Sequence, residues 1–205
     1  MMRAMTVGGV VALGVGCVPT LTTPVDTGDS GTTAWVAPDN RWPSEGPPTD
    51  ASNQGFSSGQ LPPDLRMGDQ FGDVVSLWQL AGQPVVLDVS AVWCAPCQAL
   101  AADTQATADA YADVGLVYVT LLAQDLEGGA PDQAVLALWA DSFGITTQPV
   151  IGDDEGGSYT SALIASRSGQ LPILLVLDTD LRVFQEVGTP SDAALRAAID
   201  ASLGR

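Results

Sequence analysis

The 205-residue chain has no histidine and no lysine, and its seven basic residues are all arginine. Each absence removes a chemistry. Without histidine there is no Ser-His-Asp triad and no imidazole ligand for a metal. Without lysine there is no Schiff base and no P-loop ammonium. Positive charge is scarce overall: seven basic against 24 acidic residues leave a net charge of −17. That balance argues against nucleic acid, whose phosphates need a basic face. The acidity reads as a solvated, soluble surface. Cysteine is also sparse, at three residues: Cys17, Cys94 and Cys97.

What is present begins with a single early charge, Arg3, followed by an uncharged stretch from Ala4 to Val18. Spanning a bilayer takes about 20 apolar residues, so this stretch is too short. It suits the charged and apolar regions of an export signal. Gly14, Val15 and Gly16 running into Cys17 resemble a bacterial lipoprotein signal, in which the cysteine is lipidated and becomes the mature N-terminus. Gly14 departs from the larger apolar residue usual at that position, although Leu13 stands beside it. Lipidation of Cys17 would leave only the close pair as thiols.

Residues 18–60 read as a disordered tether. More than half of them are proline, glycine, serine or threonine, too little apolar surface to offset the entropy of ordering. Trp35 and Trp42 stand there as stray aromatics. From Leu61 the pattern changes to that of a folded domain. "MGDQFGDVVSLWQL" suits a short hairpin running into a helical turn, and "PVVLDVSAV" a buried central strand. "QALAADTQATADAYADVG" puts Leu100, Thr104, Ala108 and Tyr111 on one helical face that Gly115 ends. "LVYVTLL" is a second buried strand. Pro131 opens a helix carrying Val135, Trp139 and Phe143. A short strand in "QPVIGD", a short helix in "SYTSALIAS" and a hairpin from "PILLVLD" to "LRVFQEV" follow. Thr189, Pro190 and Asp192 open a last helix with Leu195, Ala198, Ile199 and Leu203 on its apolar stripe. The order predicts an α/β fold with a central mixed sheet flanked by helices and an N-terminal hairpin extension.

The pair Cys94 and Cys97 carries the chemistry. Zinc needs four ligands, and here there are two cysteines, no histidine and no second pair. A purely structural bridge over so small a loop stabilises little. A dithiol that opens and closes remains. Cys94 falls between a buried strand and a helix start, where free N–H groups and the helix dipole favour a thiolate. Cys97, one turn on, suits the resolving role, and Pro96 fixes the turn between them. Asp88, inside an apolar strand, is costly to ionise, so its pKa is expected to rise towards neutrality.

"PVVLDVSAVWCAPC", a following helix, a distant "LPILLVLD" and a closing helix resemble the thioredoxin superfamily over residues 61–205. The nearest branch is that of membrane-tethered, extracytoplasmic thiol–disulfide oxidoreductases of the TlpA/ResA, redoxin-like type. The resemblance implies a thioredoxin-like fold, with Asp88 handling a proton for the second cysteine and Trp93 packed beside the site. It also implies a cis peptide bond before Pro172, with Leu171 offering backbone groups to an extended partner peptide. It implies an enzyme with no cofactor and no metal. Its partners would be protein thiols and disulfides, including a membrane-bound thiol donor. The expected direction is reduction, although Ala95-Pro96 does not set a potential. The expected form is a monomer, lipid-anchored on the periplasmic side of a bacterial membrane. The outer membrane is preferred because Val18 is no aspartate.

Two other readings compete. A peroxiredoxin-like peroxidase would carry a threonine ahead of its cysteine, where this chain has Ser90, Ala91, Val92 and Trp93. Arg167 could supply a cation for such a reaction but reads as a surface arginine. A non-enzymatic Cu(I) carrier could use two soft thiolates, yet the related copper proteins add a histidine.

Overall fold

Val85–Ser90 is the deepest strand of the protein, all six residues buried, because it is covered on both faces and paired on both edges. In the computed structural model the structure describes residues 34–153, 157–167 and 169–205. The signal segment with Cys17, and residues 18–33 of the expected tether, lie outside the described residues.

The elements run β1 (Arg66–Gly68), β2 (Val74–Ser76), β3 (Val85–Ser90), α1 (Ala95–Ala101), α2 (Thr104–Ala110), β4 (Val117–Leu122), α3 (Gln133–Phe143), β5 (Val150–Gly152), α4 (Ser158–Ala165), β6 (Ile173–Leu177), β7 (Val183–Glu186) and α5 (Asp192–Ser202). The main sheet has the order β5-β4-β3-β6-β7. β3 pairs in parallel with β4 and antiparallel with β6, so the sheet is mixed, as the order of elements predicts. β1 and β2 form the expected hairpin and run into a 3₁₀ turn at Leu77–Gln79. The fold is thioredoxin-like.

Side-chain alternation along β3 divides the core. Val85, Leu87 and Val89 pack with Leu61, Leu65, Leu77 and Leu163 on one face. Val86 packs on the other with Leu100, Tyr111, Tyr118, Leu195 and Ile199. Asp88 and Ser90 share the parity of Val86, so they face the layer formed by α1, α2 and α5.

Three expectations about local structure are corrected. The helix after the cysteines is two pieces, since Asp103 N–H bonds to Leu100 O in a tight turn before α2 begins. Leu100, Thr104, Ala108 and Tyr111 are nevertheless all buried. The cap of α5 is Ser191, whose hydroxyl accepts the Ala194 N–H, rather than the Thr189–Pro190 pair.

The third correction concerns the second half of the tether. Trp35–Arg205 is one compact unit, and residues 35–60 run over it as a strap. Trp42 is buried in the core, its Nε1–H donating to the buried Asp69 carboxylate at 2.7 Å. Arg41 lies 3.7 Å over the Phe71 ring and pairs with Asp73. Asn40 and the buried Gln79 exchange side-chain hydrogen bonds. Further on, Gly59 N–H donates to Val183 O and Val183 N–H to Gln60 O, so the strap covers the free edge of β7. At the opposite edge, Asp69 bridges to Ile151 of β5.

Candidate active site

β3 leads directly into the cysteine loop. Cys94 N–H donates to Ala91 O at 3.1 Å, closing the turn, and α1 starts at Ala95 with Pro96 in its first turn. Cys94 is the N-cap, with φ −83° and ψ 103°, and its sulfur accepts the Cys97 N–H at 3.3 Å. That contact and the helix start favour a thiolate on Cys94 once the pair is reduced. The structure holds the oxidised form, a Cys94–Cys97 disulfide with an S–S distance of 2.07 Å.

Although it stands at the helix start, Cys94 is 4% exposed, against 0% for Cys97. Both cysteines belong to a buried cluster with Ala91, with Leu136 and Trp139 of α3, and with Ile145 just beyond that helix. Exposed Trp93, Ala95 and Pro96 frame the narrow approach to Cys94.

Asp88 is 1% exposed. Its Oδ1 accepts from Ser90 Oγ at 2.7 Å and its Oδ2 from Tyr118 Oη at 3.3 Å. Burial raises its carboxyl to about 7, against the opposing pull of the Ser90 and Tyr118 hydrogen bonds. The acid is therefore poised to exchange a proton near neutral pH.

The Leu171–Pro172 peptide bond is cis. Pro96 of the cysteine loop and Leu171–Pro172 together line one groove of about 220 Å³. Leu171 also packs against the cluster that holds the disulfide. Trp93 is 49% exposed, with Nε1–H donating to Gln124 Oε1 at 3.0 Å, so it is not core filling. A second, apolar groove of about 330 Å³ lies between Val92 of the cysteine loop and Leu126, Leu138 and Phe143. Leu126 and Leu138 both stand exposed there.

Sequence reasoning missed Ser90 and Tyr118. Ser90 carried a signal, two residues along the same strand face as Asp88. Tyr118 carried none, because its meeting with Asp88 depends on the parallel register of β3 and β4, in which Asp88 faces Thr120. Arg167 was read as a surface residue. Its side chain is mostly buried, pairing with Glu186 at 2.7 Å and donating to Phe56 O of the strap. Among the described residues, no group of three or more potential ligands gathers to hold a metal.

Residues 68–134 match the sequence profile of the thioredoxin family. That segment holds both cysteines, Asp88 and Tyr118. No curated protein sequence matches the chain. Among solved structures, a protein described as thiol:disulfide interchange protein DsbE from Chlorobium tepidum is similar, with TM-score 0.59 and 22% identity over 73% of this chain and all of that one. The thioredoxin domain of a thiol-disulfide oxidoreductase from Bacteroides vulgatus gives TM-score 0.59 at 14% identity, over 72% of this chain and 99% of that one. Peroxidoxin BcpB from Mycobacterium tuberculosis gives TM-score 0.58 at 21% identity, over 73% and 98%. These likenesses establish a shared fold. A joined cysteine pair at the start of α1 on that fold is the constellation of a thiol–disulfide oxidoreductase.

Proposed function

We propose that the protein exchanges disulfides with protein partners outside the cytoplasm, as a reductant. The observation that carries the reading is the Cys94–Cys97 pair at the start of α1, with a buried acid on the strand that leads into it. In the reductive half-cycle the Cys94 thiolate attacks a partner disulfide, forming a mixed disulfide and releasing one partner thiolate. Cys97 then passes its proton to Asp88 and attacks Cys94 Sγ. The second partner thiolate leaves and takes up a proton. Two electrons move from the cysteine pair to the partner. The Cys97 attack is intramolecular and therefore fast.

The surroundings of the pair support protein partners. The groove beside Pro172 suits an extended peptide, and the apolar groove beside Val92 suits a large apolar side chain next to the partner's cysteine. The lipoprotein-like stretch ending at Cys17 supports a location outside the cytoplasm. Among the described residues no helix is long and apolar enough to cross a membrane. Arg167, the candidate cation of a peroxidase, is already paired with Glu186.

The test is trapping in cells. Cys97→Ser removes only the resolving step and should accumulate mixed disulfides, while Cys94→Ser should trap almost nothing. Non-reducing gels followed by mass spectrometry compare the two variants. Equal trapping, or trapping by Cys94→Ser alone, overturns the assignment.

A further inference from the structure

Asp88 has two hydrogen-bond donors, and only one of them is a neighbour in sequence. Its strand contributes Ser90. β4 contributes Tyr118 and the register partner Thr120, whose buried hydroxyl has no hydrogen-bond partner. β6 contributes the apolar Leu174. From α1 come the apolar Leu100 and, in the proposed reaction, the Cys97 thiol. α2 contributes the buried Thr104, whose hydroxyl makes no hydrogen bond, and from α5 the charge of Asp192 reaches the Tyr118 phenol. Asp192 is itself paired with Arg196. Among the described residues no cation acts on the carboxylate, so its charged form depends on neutral O–H donors.

We propose that Tyr118 is a positioning residue for Asp88: its phenol holds one carboxylate oxygen in place and sets the pH at which Asp88 takes the Cys97 proton. This rests on the exchange reaction proposed above and adds a residue to it. The geometry is constrained. Tyr118 is 1% exposed, and its backbone N–H donates to Gln148 Oε1 at 2.7 Å. The ring is wedged among the apolar side chains of α1, α2 and α5. Burial and the nearby Asp88 charge both raise the Tyr118 pKa well above the usual value, so the phenol keeps its proton and acts only as a donor. A donor to the ionised carboxylate favours that form, and removing the donor must raise the pH of ionisation.

The experiment uses the full chain, reduced, with Tyr118→Phe as the variant. Carbon NMR follows the Asp88 carboxyl through pH 5–9. Stopped-flow mixing with oxidised glutathione gives the second phase, which is independent of glutathione concentration and reports the Cys97 step. Loss of a hydrogen bond to a charged group should raise both midpoints by about one pH unit. The second phase should then be about tenfold slower at pH 6, with the difference closing above the variant's midpoint. Unchanged midpoints overturn the proposal. In the wild-type chain the Tyr118 Cζ resonance should move in step with the Asp88 titration. A flat Cζ resonance overturns the proposal whether or not the variant folds. If Cys97→Ser traps no partner, the exchange reading fails on its own, while the NMR midpoints still report on the Tyr118–Asp88 contact.

Discussion

At the scale of single residues, Asp88 costs the fold stability that its chemistry requires. Its carboxyl is raised from 3.8 to about 7, with burial as the largest cause. Below pH 4 it is protonated in both folded and unfolded chains, and the fold carries no penalty. As pH rises from about 4 to 7 the unfolded chain ionises while the folded one holds its proton, so stability falls. Above 7 the loss levels off, on the order of 4 kcal/mol for a rise of this size. Asp88→Asn removes the titration. The variant should therefore gain stability relative to wild type between pH 4 and 7 and hold that gain at higher pH. Urea denaturation of both proteins at pH 4, 6 and 8 measures it, and a flat difference would refute the argument. The same substitution should slow disulfide exchange at neutral pH, since Cys97 loses its proton acceptor. A more stable and slower variant is the signature of a strained functional acid.

At the scale of elements, the strap from Trp35 to Gln60 does work that its composition hides. Trp42 fills the core and donates to Asp69, a carboxylate that also accepts the Phe71 and Asp73 backbone N–H groups. Trp42→Ala should cost about 3–5 kcal/mol, the range for truncating a buried large aromatic. It should lower the urea midpoint without changing the slope. A cost below about 1 kcal/mol, as for an ordinary surface change, would show that the strap lies outside the cooperative unit. The main strands were legible because β3, β4 and β6 are covered on both faces and read as unbroken apolar runs. The dithiol and Asp88 were legible from local spacing on β3 and α1. The strap was not, because a proline- and glycine-rich segment pinned by a few side chains has the same composition as a solvated one. Tyr118 was hidden for a different reason: cross-strand register is a long-range fact, and a tyrosine in a buried strand looks like core until its hydroxyl is placed.

At the scale of the whole molecule, charge decides what could hold this protein at a membrane. The net charge is −17, with no lysine and seven arginines. Six of those arginines, Arg41, Arg66, Arg167, Arg182, Arg196 and Arg205, already pair with carboxylates. An anionic bilayer surface attracts basic segments, and the described residues offer none. A membrane attachment would then need apolar insertion, and the stretch from Ala4 to Val18 is too short to span. A lipidated Cys17 would supply it, with more than one acyl chain needed for a stable hold. The wild-type chain should sediment with membranes, resist a wash in high salt and be released by detergent. Cys17→Ala should appear in the soluble fraction, with the exchange rate of its cysteine pair unchanged, because Cys94 and Cys97 belong to the domain that begins at Trp35. High salt separates the alternatives: it would strip any attachment made by charge and leave a lipid anchor untouched. A Cys17→Ala variant that still sediments after the salt wash would mean that something other than Cys17 holds the protein there.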